Sequence, residues 1–188
     1  MPTTRVPLLS EQEAEARADD VGVSRQLAAL NIFRVLLRLP GAAHATAGLL
    51  LELLSGRALP HRVRELVIMR VGWVTGSDYE WTQHWRIARE VFGLSDEDLL
   101  DVRDWERSTR LVNAERAALA ATDETLAEGA MSEATYARCR GALGTDEAVV
   151  ELALAIGVWR TVSELTRSLA VPLEDGLASW PPDGVAPS

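Results

Sequence analysis

Cysteine is almost missing from this chain: Cys139 is the only one in 188 residues. No disulfide can form within the chain, and no chemistry that needs two thiols can run on it. A lone cysteine in such a sequence reads as a small buried hydrophobe. Long apolar runs are missing too, and none reaches the ~18 residues of a membrane span. The opening MPTTRVPLLSEQEAEAR has no long apolar segment and turns acidic quickly, unlike a secretory signal. A soluble, cytoplasmic protein is expected. No useful stretch alternates with period two, which argues against a sheet and for an all-α domain. There is no Gly-rich phosphate loop, and Ser77 lacks the setting of a hydrolase nucleophile. Basic residues are fewer than acidic ones, 19 against 28, for a net charge of -9. That balance argues against nucleic acid as a partner. A local cluster of arginines can still oppose the global sign and hold a small anion.

What is present suits one globular domain: 47% hydrophobic residues, 25% charged, and six tryptophans. Residues 1–9 read as an extended arm, 10–173 as the helical domain and 174–188 as a tail, disordered from Trp180. Ser10-Glu11-Gln12-Glu13 is a capping box opening a short helix to about Ala18. A helix is expected from Ser24 or Arg25 to Leu39, broken at Pro40-Gly41. Another runs from about Ala42 to Leu54. After the central pair described next, Ser95 opens a short acidic helix to about Val102, and residues 104–112 connect. Helices then follow over Asn113–Leu126, Ser132–Leu143 and Ala148–Leu169. The whole is a single-domain bundle of about seven to nine helices. A weak internal echo places Glu151-Leu152 before Trp159 at the spacing of Glu65-Leu66 before Trp73.

The chain is organised around residues 59–94, two helices joined by a tight turn. The first, Pro60–Thr75, is apolar on nearly every side, which marks it for a core or an interface. It carries Glu65 near its start. The second, Ser77–Phe92, carries Glu80 and His84 four residues apart on one face. That face continues through Ile87, Ala88 and Val91 and so looks inward. Ser77 and Glu80 also fit a capping box, and an ionised Glu80 would raise the proton affinity of His84. Antiparallel packing sets the order in space as Glu65, His84, Glu80, with a pocket opening beside Tyr79 or Trp81. Glu80 and His84 offer two metal ligands on one helix, but His44 and His61 show no ligand spacing. No metal is expected. Trp73, Trp81 and Trp85 flank this region and can wall a pocket or fill the core.

Arg64-Glu65-Leu66, then Tyr79-Glu80-Trp81, then His84, resemble the carboxymuconolactone decarboxylase family and its alkylhydroperoxidase D-type relatives. The resemblance is specific over Pro60–Leu99 and looser over Arg5–Leu173. Peroxidase members carry Cys-x-x-Cys with a His four residues after the second Cys. Counting back from His84, those positions are Ser77 and Glu80 here. The resemblance therefore implies the all-α scaffold but not its dithiol chemistry. It implies a cofactor-independent decarboxylase acting on a carboxylated unsaturated lactone. Glu65, Glu80 and His84 would be the catalytic residues. Arg62, Arg70, Tyr79 and Trp81 would bind substrate. It also implies a homo-oligomer, a trimer or a hexamer of trimers. A peroxidase and a non-catalytic ligand-binding protein are the alternatives.

Overall fold

The computed structural model describes residues 4–187. Among them there are ten α-helices and one 3-10 segment, and no strand. Residues 1–3 of the expected arm and Ser188 of the tail lie outside the described residues. The chain forms two compact units: residues up to Ser55 together with Leu165–Leu177, and Gly56–Glu164 together with residues 178 onward.

The first unit contains α1 (Glu11–Val21), α2 (Arg25–Ala28), α3 (Asn31–Leu36) and α4 (Pro40–Ser55). Ser10 and Glu13 close the capping box at the start of α1. Residues 4–9 are tied down, with Leu9 exchanging hydrogen bonds with Arg34 and Pro7 accepting from Arg38. The single helix expected over 25–39 is two. Leu30 is extended, at φ -73 and ψ 137. The Asn31 amide donates instead to Glu174 Oε1 at 2.8 Å. A tertiary acceptor far along the chain thus replaces a local one, which periodicity cannot register. Pro40 opens α4 rather than standing outside it, as proline's missing N–H permits.

In the second unit, α5 (His61–Thr75) is the central helix, and its apolar faces feed two clusters. Leu66 and Met69 join Trp81, Trp85, Leu99 and Leu119. Val63 and Val67 join Ala117, Ala121, Cys139, Leu152 and Ile156. A helix apolar all round is therefore explained by core packing inside one chain, and its apolarity is no sign of an oligomer interface. Gly76, at φ 67, ends α5 in the left-handed conformation. Ser77 then caps α6 (Asp78–Glu90) by accepting from the Glu80 amide. Gly72 lets the pair approach, since a Cβ there would stand 3.1 Å from the Trp81 amide nitrogen. Contact of Gly72 with Trp81, and of Glu65 with His84 further back, means the two helices run in opposite senses.

Ser95 caps α7 (Asp96–Leu100), and the connector beyond it is a 3-10 segment, Asp101–Arg107. Next come α8 (Asn113–Glu128) and α9 (Glu133–Leu143), followed by α10 (Asp146–Leu169). The tail is not loose up to residue 187. Trp180 is 9% exposed and packs edge-on to Trp73 at 5.9 Å. Its amide donates to Asp78, Trp81 Nε1 donates to the Pro181 carbonyl at 2.8 Å, and Asp183 pairs with Arg103. One buried indole gives a polar, Pro-containing segment enough apolar area to dock.

Candidate functional site

Glu65 lies in the second turn of α5 and is wholly buried. His84, midway along α6, is 6% exposed. His84 Nδ1 and Glu65 Oε2 are 2.9 Å apart. On its other side, His84 Nε2 accepts the indole N–H of Trp159 from α10 at 3.0 Å. The rings meet edge to face, with centroids 5.7 Å apart. Glu80, one turn earlier on α6, places Oε2 3.9 Å from Nε2, too far for a hydrogen bond. Arg64 completes the charge cluster, with Nε 3.6 Å from the second oxygen of Glu65. Its guanidinium also donates to His61 Nδ1 at 2.8 Å and lies over the Phe92 ring.

A nitrogen that accepts an N–H carries no proton, so this geometry is that of neutral His84 with its proton on Nδ1, donated to Glu65. Burial opposes charging the ring and is the largest single influence. The charge and hydrogen bond of Glu65, aided by Glu80 and opposed by Arg64, outweigh it. The proton affinity of His84 is accordingly raised above its ordinary value. With both carboxylates ionised, Arg64, Glu65, Glu80 and neutral His84 sum to one negative charge, and protonating His84 cancels it. The site is thus a buried base poised to become an acid.

The expected spatial order Glu65, His84, Glu80 is the order found. The other expected positions lie in the following contacts. Arg62 binds Asp98 through Nη1 at 2.5 Å and Nη2 at 3.0 Å, and Glu115 through Nε at 2.5 Å. Arg70 grips Asp123 with two nitrogens at 2.6 and 2.8 Å and caps the carbonyls of Val102 and Arg103. Both arginines tie α5 to its neighbours. These bonds use three of the five guanidinium N–H groups of Arg62 and four of those of Arg70. Trp81 is 0% exposed, between Trp73, Trp85 and Trp180. It packs in the core, and Tyr79 is 5% exposed. A cavity of about 390 Å³ is lined by Trp105, Glu106, Asn113, Arg116, Ala117 and Arg138, and neither Glu65 nor His84 is among its lining residues. Among the described residues no three His, Cys, Asp or Glu are gathered as a metal site. Trp159 was not singled out as a site residue from the sequence. Its only signal was the echo that aligned it with Trp73.

Residues 40–124 match the family model of the carboxymuconolactone decarboxylase family. No curated protein matches the sequence. Among solved structures, the debrominase Bmp8 in complex with 2,3,4-tribromopyrrole is similar, with TM-score 0.75 and 19% identity over 93% of this chain and 94% of that one. An alkylhydroperoxidase AhpD core, a peroxidase-related protein from Ralstonia eutropha, gives TM-score 0.73 and 17% identity, with coverage of 93% and 94%. A protein of unknown function from Agrobacterium tumefaciens gives TM-score 0.67 and 23% identity, covering 74% of this chain and 95% of that one. At these identities the likeness is one of fold.

Proposed function

We propose that this chain, whose residues 40–124 match the carboxymuconolactone decarboxylase family model, is a member of that family and an acid–base enzyme that decarboxylates a carboxylated unsaturated lactone or a related small molecule. The observation that carries this reading is the buried Glu65–His84 hydrogen bond of 2.9 Å beside a helix start that holds Ser77 and Glu80 rather than two thiols. Loss of carbon dioxide leaves the electron pair of the broken C–C bond in the conjugated carbonyl as an enolate. A carbon of that enolate must then take a proton. His84, protonated at Nε2, delivers it, and solvent returns a proton to the neutral ring. Glu65 holds Nδ1–H throughout and so aims the ring, while Glu80 favours the charged form. Arg64 is the cation nearest the dyad, and no step in this scheme needs a cofactor. The direct test is turnover of such lactones by the purified protein, with release of carbon dioxide measured. A protein that binds the lactone tightly and never turns it over would favour the non-catalytic alternative.

A thiol peroxidase is disfavoured by the state of Cys139. Its Sγ is buried against the Ala117 carbonyl at 3.3 Å, and burial pushes the thiol pKa up, away from the reactive thiolate. Cys139→Ser is expected to leave activity within about twofold of wild type, since a buried Cys acts as a packing residue. Loss of most activity in a folded variant would return the redox reading to favour.

The protein is further proposed to form a homo-oligomer, a trimer or a hexamer of trimers. Support comes from Val150 and Leu154, one turn apart on α10 and 59% and 47% exposed. Light scattering at micromolar concentration should give a multiple of the 20.5 kDa chain mass. A monomer mass would reject the assembly.

A further inference from the structure

The bond between Trp159 and His84 is not needed to hold either ring in the core, since both are already enclosed. Trp159 is 1% exposed and His84 6%. The bond does, however, decide where the proton of His84 sits. An imidazole nitrogen has one site: it either accepts a hydrogen bond or carries a proton and donates one. At Nε2 the two outcomes have different partners. The Trp159 indole can only donate, and it stands 3.0 Å away. The Glu80 carboxylate accepts when ionised, and it stands 3.9 Å away.

We infer that Trp159 is a positioning residue that competes with the proton for His84 Nε2. It keeps the resting ring neutral with its proton on Nδ1 against Glu65, and it must release Nε2 before His84 can act as an acid toward the Glu80 side. The charges acting on the ring are Glu65 and Arg64 from α5 and Glu80 from its own helix. From α10 the contact is the neutral indole. The two carboxylates therefore draw a proton onto His84 while Trp159 holds its place closed. The group that must be protonated for the reaction is the group whose resting lone pair is occupied. A substrate arriving at Nε2 has to displace the indole, which couples acid formation to occupancy of the site. That catalytic consequence rests on the acid–base function proposed above, whereas the competition at Nε2 does not.

The test is a pH titration of the full chain labelled with ¹⁵N-histidine and ¹⁵N-tryptophan, followed by NMR, which needs no substrate. The expected resting His84 shows a protonated Nδ1 and a bare Nε2. The Trp159 indole proton should shift with the same midpoint as His84 when the ring is protonated. Trp159→Phe removes the donor and keeps an aromatic ring. Its His84 midpoint should rise by ~0.4–1.1 pH units, the equivalent of one net buried hydrogen bond. A resting Nε2–H tautomer would overturn the inference. So would an indole proton that ignores the His84 titration, or a folded Trp159→Phe with an unchanged or lowered midpoint. Should that variant not fold, the tautomer and the shared midpoint in the wild-type protein decide alone. Activity measurements on His84 variants test the decarboxylase reading separately, so either idea can fail while the other stands.

Discussion

Replacing His84 with Gln is expected to lower turnover of a carboxylated lactone by ~100- to 10,000-fold, the usual cost of one general acid. The change isolates proton transfer. Gln has a similar volume, and its amide N–H can still donate to Glu65 across the 2.9 Å now spanned by Nδ1. Binding should therefore change less than kcat. The pH profile gives an independent check. A general acid works only while protonated, so the rate should fall as pH rises through the His84 midpoint. Glu65 and Glu80 together raise that midpoint against burial. Glu65→Gln removes one of the two charges, so the falling limb should move to lower pH, and Trp159→Phe should move it the other way. Stability follows the same sign. A His whose folded-state pKa is raised contributes stability that is full below its unfolded value and is lost as pH rises through the folded one. Full activity in folded His84→Gln would end the mechanism.

Trp81→Ala should produce the largest loss of stability, ~3–5 kcal/mol, as for other aromatic-to-alanine changes in cores. Trp81 is 0% exposed and touches Trp73, Trp85 and Trp180, while Arg103 lies 4.9 Å from its ring centre. Its removal also takes away the donor to the Pro181 carbonyl, one of the bonds that dock residues 178–187. For a chain of this length the loss corresponds to roughly 6–20 °C in melting temperature. Calorimetry reads it directly, and faster proteolysis near the C-terminus should accompany it. A melting temperature within about a degree of wild type would mean that Trp81 is not the centre of this cluster, given what a buried indole is worth.

The helices around the site were legible because their signals are local. Ser10, Ser77 and Ser95 cap helix starts, Gly144 ends a helix, and apolar spacing fills the gaps between them. The break at Leu30 was not legible, because the acceptor that stabilises it is Glu174, more than a hundred residues away. The order of Glu65, His84 and Glu80 could be read for a related reason. Two helices joined by a short turn must fold back on each other, and the 3.6-residue repeat does the rest.

Other roles depended on partners that no spacing encodes. An arginine near a carboxylate-rich site looks like a substrate clamp in a sequence. Only the positions of Asp98, Glu115 and Asp123 show that Arg62 and Arg70 are already paired. Trp81 was correctly placed on the site helix, but which of its neighbours face it depends on Trp73 from α5 and Trp180 from the end of the chain. Trp159 reaches His84 across 75 positions of sequence. The sequence by itself determined the helical class, the central helix pair, the missing thiols and the pairing of a carboxylate with a histidine. These follow from residue type and near-neighbour periodicity. The tertiary structure alone decided which partners flank the two nitrogens of His84, which carboxylates pair with Arg62 and Arg70, and which tryptophans are core. Each is set by a contact between segments remote in the chain, and a hydrogen bond constrains a few tenths of an ångström that no residue pattern records.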